Sequence, residues 1–296
     1  MVRRFFAACL AFSMLDCATT DRETQVTIGL SSETEIPKEL DSFTLRVFST
    51  RTGELRFSKD YEPKRGSDFP TTLAVIPADE ESLKSPLRVE LEGRKGAQTK
   101  AFLRRTAVMP YVEGRNILLS MPLRMACFQF QDCGANETCS GGQCIPATVD
   151  PSTLPNYEER LVFPTPGNCF DEQACLSDSK AIKVEEDCSF ALPEGNDITV
   201  GNISIQWAAA PQRILALEAG DTQEGWVRTG PSRGRLSQGA CNSHFQRRGP
   251  DNELLVKDWA QTVLFSNRCK SKVASLPCCF SKQTEHSGIG ANTPAP

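Results

Sequence analysis

The 13 cysteines of this 296-residue chain are distributed very unevenly. Cys9 and Cys17 lie near the start, residues 18–126 contain none, and the other eleven fall between Cys127 and Cys279. Thiols at this density persist as disulfides outside the reducing cytosol, whereas metal sites favour histidines or paired C-x-x-C spacings, which are missing here. The distribution therefore predicts an exported, disulfide-bonded protein with no metal or other cofactor.

The first sixteen residues have the parts of a bacterial signal peptide: Arg3 and Arg4, then an apolar stretch over residues 5–15. The stretch is shorter than the roughly 20 residues of a transmembrane helix, so a permanent span is not expected. Residues 14–17 are similar to a lipoprotein cleavage box, from which Asp16 departs because a small residue is usual there. We predict that residues 1–16 are removed, that Cys17 is the lipid attachment site, and that residues 17–23 form a tether.

Residues 24–125 show period-two alternation of apolar and polar side chains, which indicates half-buried strands. The alternating runs lie at residues 26–30, 43–47, 55–57, 87–91 and 117–123, and glycine-containing turns are expected at residues 51–54 and 92–96. About seven short strands in 100 residues predict a cysteine-free, antiparallel β-sandwich of the immunoglobulin or prealbumin type.

Residues 126–145 form a four-cysteine module with the spacing C-x5-C-x5-C-x4-C, made by Cys127, Cys133, Cys139 and Cys144. Twenty residues cannot bury a core, so disulfides must hold the module together, and four cysteines leave three pairings open. Residues 146–167 contain five prolines and predict an extended linker.

Residues 168–283 are predicted to form a disulfide-bonded, mainly-β (α+β) domain. Strands are expected at residues 181–184, 198–200, 203–207, 213–217 and 226–227, while the pattern over 251–263 fits either a helix or a strand. Residues 284–296 are polar and small, and predict a disordered tail. The domain contains seven cysteines: Cys169, Cys175, Cys188, Cys241, Cys269, Cys278 and Cys279.

Cysteine parity predicts one unpaired thiol. With Cys9 removed and Cys17 lipidated, eleven cysteines remain, which is an odd number. The Cα atoms of adjacent residues lie about 3.8 Å apart, which is closer than a relaxed disulfide allows. Cys278 and Cys279 therefore should not pair with each other, and one of them is expected to be the free thiol.

Few side chains suggest catalysis. His244 and His286 are the two histidines, and no Gly-x-Ser-x-Gly motif accompanies them. The acidic runs at residues 158–159, 171–172 and 185–187 are most simply solvated surface. Trp207, Trp226 and Trp259 could line a sugar-binding surface or fill a core. The net charge of −4 excludes a general affinity for nucleic acid, and the arginine pairs at 104–105 and 247–248 are taken as solvated surface.

The layout of these segments resembles that of lipoproteins found in myxobacteria. The resemblance rests on the cleavage box, the prealbumin-like domain, the Cys-rich module with residues 149–155, and the stretch 207–218. It implies no activity and no site residues. We therefore predict a non-enzymatic protein, lipid-anchored on the periplasmic or cell-surface face of the outer membrane, that binds an envelope protein or glycan. The alternatives are a secreted soluble protein and an extracytoplasmic hydrolase using His244.

Overall fold

A computed structural model describes residues 23–34, 36–37, 39–64, 69–96, 101–127, 133–165, 167–193, 201–207, 210–245 and 261–279. For residues 207, 210–213, 242–245 and 261 it describes the backbone. The predicted signal peptide, Cys17, the tail and the strand expected at 198–200 lie outside these ranges. The described chain is mainly β, as predicted.

Seven strands form the N-terminal sandwich. They are β1 (Gln25–Ser32), β2 (Ser42–Ser49), β3 (Leu55–Tyr61), β4 (Thr71–Val75), β5 (Leu87–Arg94), β6 (Leu103–Met109) and β7 (Asn116–Leu123). One sheet has the order β4-β1-β7, and the other has the order β3-β2-β5-β6. A short helix, α1 (Glu80–Lys84), lies between β4 and β5 and is capped by Asp79, whose carboxylate accepts from the amide of Ser82.

The alternating side chains that predict these strands make up the core between the two sheets. Their inward positions are fully or almost fully buried, including Val26, Ile28, Phe43, Leu91 and Met121. Burying one such side chain contributes about 1.5–3 kcal/mol relative to leaving it in water. The sandwich thus has an apolar core large enough to explain its lack of cysteine.

Two details of the sandwich differ from the sequence prediction. β1 pairs with β7 in parallel, so one sheet is mixed rather than wholly antiparallel. Residues 92–94, expected in a turn, complete β5, where Gly93 lies opposite Phe43 and Leu103. A Cβ on Gly93 would lie 2.8 Å from a methyl of Leu40, so the glycine is needed for close packing. The turn follows at Gly96, where φ is +61°.

The four-cysteine module is a hairpin closed by two disulfides. Its strands are β8 (Glu137–Ser140) and β9 (Gln143–Pro146), which pair through a Gly141-Gly142 turn in which both glycines have positive φ. The disulfides join Cys127 to Cys139 and Cys133 to Cys144. A 3-10 turn at Met125–Cys127 connects β7 to the module.

The proline-rich segment is bonded to the sandwich. The amides of Val108 in β6 and Leu118 in β7 donate to the carbonyls of Ala147 and Pro155, and the amide of Tyr157 donates to Asn116. Each sheet therefore has one edge covered by this segment, which contains 3-10 turns at Pro151–Thr153 and Glu159–Leu161. The covered edges are β6 and β7, whereas β3 and β4 are the uncovered outer strands of their sheets.

The C-terminal part contains two small sheets. The first has the order β10-β16-β12-β13, built from β10 (Lys180–Ile182), β12 (Asn202–Trp207), β13 (Ala210–Leu217) and β16 (Gln261–Ser266). The second has the order β11-β15-β14, built from β11 (Ser189–Ala191), β14 (Trp226–Gly230) and β15 (Arg233–Leu236). Helices α2 (Glu172–Leu176) and α3 (Gln238–Phe245) flank them, and the described end of the ambiguous 251–263 segment is strand β16.

Three disulfides crosslink this part. They join Cys169 to Cys279, Cys175 to Cys269, and Cys188 to Cys241. Cys188 and Cys241 lie in one apolar cluster with Phe190 and Trp226, while Cys175 lies in a second, smaller cluster with Phe170. The crosslinks therefore reinforce two modest cores rather than one large core.

Candidate functional site

Arg124 is the centre of a charged cluster where the sandwich meets the C-terminal part. Its guanidinium lies 2.6 Å from Glu33, 3.1 Å from Glu218 and 3.1 Å from Glu224. Glu33 and Arg124 directly follow β1 and β7, and the two other glutamates lie on either side of the turn between β13 and β14. We call these four residues the junction cluster. Their side chains are 6–16% exposed, so water screens the charges weakly.

The pKa values of Arg124, Glu218 and Glu224 depend on burial and on the neighbouring charges together. Burial alone would lower the pKa of Arg124, but the three carboxylates outweigh it and raise this pKa well above its usual value. Burial would raise the pKa of Glu218, but Arg124 and Lys272 outweigh it, so the Glu218 pKa is lowered. Burial raises the pKa of Glu224, although Arg124 and Arg105 oppose this shift.

Two further cationic side chains lie beside the junction cluster. The Lys272 ammonium lies 3.1 Å from Glu218 and is itself buried, and the Arg105 guanidinium lies 3.8 Å from Glu224. Arg105 was expected to be solvated surface, which is wrong, because its side chain is 22% exposed and faces the junction. Its neighbour Arg104 is 52% exposed and binds Glu92 instead. Successive residues of a strand face opposite sides, so the arginine pair is divided between two environments.

The Cys-rich module also contacts the junction. The amide of Gly141 donates to Glu224 at 2.6 Å. A Cβ on Gly141 would lie 2.7 Å from the Cα of Gly239, and a Cβ on Gly239 would lie 2.2 Å from the carbonyl oxygen of Gln223. Glycine therefore allows the backbones of the module and the C-terminal part to approach closely. The junction cluster is contacted by the sandwich, the module and the C-terminal part. Each of its three carboxylates lies within 4 Å of a cationic side chain, which suits a structural role better than ligand binding.

An open groove lies on the C-terminal part, at the turn between β10 and β11. It has a volume of about 520 Å³ and is lined by Lys183, Val184, Glu185, Glu186, Asp187, Ser189 and Arg233. Six of these seven side chains are polar. The groove contains the acidic run 185–187, which the sequence analysis interpreted as solvated surface.

The turn that forms this groove is held rigidly. The amide of Glu185 donates to the carbonyl of Ser189, and the amide of Cys188 donates back to Glu185. Cys188 has a φ of +66°, which is uncommon for a residue with a side chain, and its disulfide to Cys241 fixes it on helix α3. Hydrogen bonds from Ser189 lower the pKa of Asp187, so this carboxylate is ionised at neutral pH.

The cationic side chains of the groove are oriented by contacts with their neighbours. Arg233 donates to the hydroxyl of Ser189 at 2.8 Å, and Lys183 lies 3.2 Å from Glu185. Glu186 is exposed beside them. The groove thus presents ammonium, guanidinium, carboxylate and hydroxyl groups side by side on a fixed backbone, which suits hydrogen bonding to a polar ligand.

Of the two roles that the tryptophans could have, Trp226 fills a core: it is 5% exposed and packs against Phe190 with the ring centroids 6.1 Å apart. The side chain of Trp207 and all of Trp259 lie outside the description. The side chain of His244 and all of His286 also lie outside the description, although the backbone of His244 lies in α3. The hydrolase alternative therefore stays a prediction.

Ten of the eleven cysteines after residue 126 form the five disulfides, which places the protein outside the reducing cytosol. Among the described residues, Cys278 is the free cysteine, in agreement with the parity prediction. Cys278 is exposed as a residue, and its thiol lies beside the Glu172 carboxylate. Burial and that carboxylate raise the pKa of Cys278 to about 12, so the thiol is a poor nucleophile.

The described ranges offer neither a metal site nor a membrane-spanning helix. No group of three or more histidine, cysteine, aspartate or glutamate side chains there could hold a metal ion. Across the same residues, no helix is both long and apolar enough to cross a membrane.

No protein-family model and no curated protein matches this chain. Among solved structures, a candidate polysaccharide binding protein of the DUF1812 group from Bacteroides thetaiotaomicron aligns with 83% of this chain and 72% of that chain. The sequence identity is 9% and the TM-score is 0.20. A likeness this low carries no argument, so the function is inferred from the chain's own residues.

Proposed function

We propose that this protein is a non-catalytic binding protein of the bacterial cell envelope, held on the outer membrane by a lipid on Cys17, and that its C-terminal groove binds a glycan. The observation that supports glycan binding is the groove itself, in which polar side chains converge on a turn fixed by the Cys188–Cys241 disulfide. Carboxylate, ammonium, guanidinium and hydroxyl groups are the partners that sugar hydroxyls use. A rigid backbone lowers the entropy lost on binding.

The lipid anchor is supported by the sequence before Cys17, which resembles that of myxobacterial lipoproteins. A diacylglyceryl group together with an amide-linked acyl chain supplies more than one hydrophobic anchor, which is what stable attachment requires. Mass spectrometry of the mature N-terminal peptide tests it. A lipid-modified Cys17 is expected, and an unmodified residue at or before position 16 would overturn the anchor.

Glycan binding is tested with the full mature protein on an array of envelope polysaccharides, followed by titration calorimetry on the best ligand. A double variant, Lys183→Met with Glu186→Gln, removes two exposed charges from the groove without touching its backbone bonds. Each charged hydrogen bond contributes about 1.5–3 kcal/mol, so affinity should fall by at least about tenfold.

The matched control is Lys84→Met with Glu80→Gln, which removes the same two kinds of charge from the exposed helix α1. The control should bind like the unaltered protein. Retention of no glycan by the array, or an equal loss of affinity in both double variants, would contradict the proposal.

A further inference from the structure

The chain enters the sandwich at one defined end. The amide of Gly114 donates to the hydroxyl of Thr24, and the amide of Gln25 donates to the carbonyl of Arg115, so the start of β1 lies against the turn between β6 and β7. β1 also pairs Val26 with Val75, the last residue of β4. We call this the proximal end of the sandwich.

Two apolar side chains protrude at the proximal end. Among the described residues, the exposed large hydrophobic side chains are Leu55, which is 48% exposed, and Ile76, which is 62% exposed. Ile76 directly follows Val75, and Leu55 begins β3 after the hairpin at residues 50–54. The ion pair of Arg51 with Glu81, at 2.5 Å, joins that hairpin to helix α1 beyond Ile76. Both side chains therefore belong to the same end.

The opposite end of the sandwich is already occupied. β1 and β7 run from the proximal end to Glu33 and Arg124, where the junction cluster fastens the C-terminal part. Eight residues of strand span about 26 Å, so the sandwich separates the proximal end from the junction cluster by about that distance.

The predicted tether sets how far the proximal end can lie from the membrane. Five residues lie between Cys17 and Glu23, the first described residue, and the six steps from Cys17 to Glu23 span about 20 Å when fully extended. We infer that the proximal end rests on the outer membrane, with Leu55 and Ile76 in contact with the lipid interface and the C-terminal groove directed away from it. This inference depends on the lipid anchor of the proposed function.

The charges at the proximal end indicate what kind of contact this is. Arg51 is paired with Glu81, and Arg56 lies 3.5 Å from Glu54. The other basic side chains there, Lys84 and Arg115, are matched in number by the exposed Glu80 and Glu113. Such an end has no excess of positive charge to attract anionic headgroups. The contact should therefore depend on the tether and the two apolar side chains, and should not require anionic lipid.

Photocrosslinking of the full lipidated protein in vesicles of a zwitterionic phospholipid tests the inference. The photoreactive amino acid p-benzoylphenylalanine is placed in separate preparations at Leu55, at Ile76, and at the control position Glu62. Glu62 is exposed and follows β3 at the opposite end of that strand. Lipid adducts are expected at positions 55 and 76 but only background at 62, and adding anionic lipid should not change the result.

The mass of the N-terminal peptide is measured on the same preparations, which separates the two proposals. A lipidated protein that forms no lipid adducts at 55 and 76, or forms them equally at 62, overturns this inference and leaves the anchor intact. A protein without lipid on Cys17 overturns both. Adducts to protein in place of lipid at 55 and 76 would also overturn the inference.

Discussion

Replacing Arg124 with methionine should be among the most destabilising single changes in the described chain. Methionine retains much of the apolar stem but removes the charge that three carboxylates share. Glu33, Glu218 and Glu224 would then face one another with side chains 6–16% exposed. Removing one partner of a buried ion pair costs about 3–5 kcal/mol. Lys272 would still pair with Glu218 and Arg105 would still lie near Glu224, so the three carboxylates would be compensated only in part.

The melting temperature is the simplest measure of this cost. For a chain of this size, about 1 kcal/mol corresponds to roughly 2–4 °C, so Arg124→Met should lower the melting temperature by about 10 °C at pH 7. Circular dichroism without reductant keeps the disulfides intact during the scan. Arg124→Lys restores the charge without the forked geometry and should recover part of the loss.

The matched control is Arg51→Met, which removes an arginine from an exposed ion pair. Arg51 and Glu81 are 48% and 66% exposed, and pairs of this kind contribute about 0–1 kcal/mol. If Arg124→Met lowered the melting temperature no more than Arg51→Met does, the junction cluster would contribute no net stability, and our account of how the two parts are joined would be wrong.

Three further predictions concern titration, packing and the free thiol. Because the pKa of Glu218 is lowered in the folded protein, its ionised form stabilises the fold above the unfolded pKa, and this stabilisation is lost on acidification. Glu218→Gln should therefore destabilise the protein at pH 7 but not near pH 3. The raised pKa of Glu224 acts in the opposite direction, so Glu224→Gln should gain stability relative to the unaltered protein as the pH rises from 4 to 8 in denaturant titrations. Gly239→Ala, whose Cβ would overlap backbone, should cost about 1–3 kcal/mol in thermal unfolding, more than Gly230→Ala, whose Cβ meets open space and whose φ is not left-handed. Cys278 should react with a disulfide reagent at pH 8 far faster after denaturation than before, because with a pKa of about 12 roughly one thiol in ten thousand is ionised. Equal rates would contradict the raised pKa.

The part of the fold that could be predicted from sequence is the part that local patterns determine. In the sandwich, the face of each side chain depends on strand geometry over two residues, so the alternation around Val26, Phe43 and Leu91 was sufficient to predict strands and core. The parallel pairing of β1 with β7 joins residues about 90 positions apart, and no local pattern reports it.

The junction cluster could not be predicted for the same reason. Glu33, Arg124, Glu218 and Glu224 come from separate segments, and in sequence each looks like any surface charge. Arg104 and Arg105 show the limit most directly. The pair looked like solvated surface, yet alternation along β6 sends one side chain to the outer sheet face and the other into the junction. Knowing that residue 105 faced inward would have suggested a buried acidic partner.

The uneven use of disulfides follows from the sizes of the cores they support, and this can be tested by reduction. The described residues of the sandwich share one large apolar cluster, whereas those of the C-terminal part form two smaller ones. The three C-terminal disulfides close loops with sequence separations of 110, 94 and 53, and losing a native disulfide from a small domain typically costs about 2–5 kcal/mol.

Reduction should therefore unfold the C-terminal part first. Hydrogen exchange measured by mass spectrometry, with and without a phosphine reductant, should show lost protection in β12 and β16 while β2 and β5 stay protected. The buried hydrophobic side chains of β2 and β5 have no cysteine among them, although the Cys127–Cys139 disulfide belongs to the same apolar cluster. Simultaneous loss of protection in both parts would mean that the sandwich core is not stable once the disulfides are reduced.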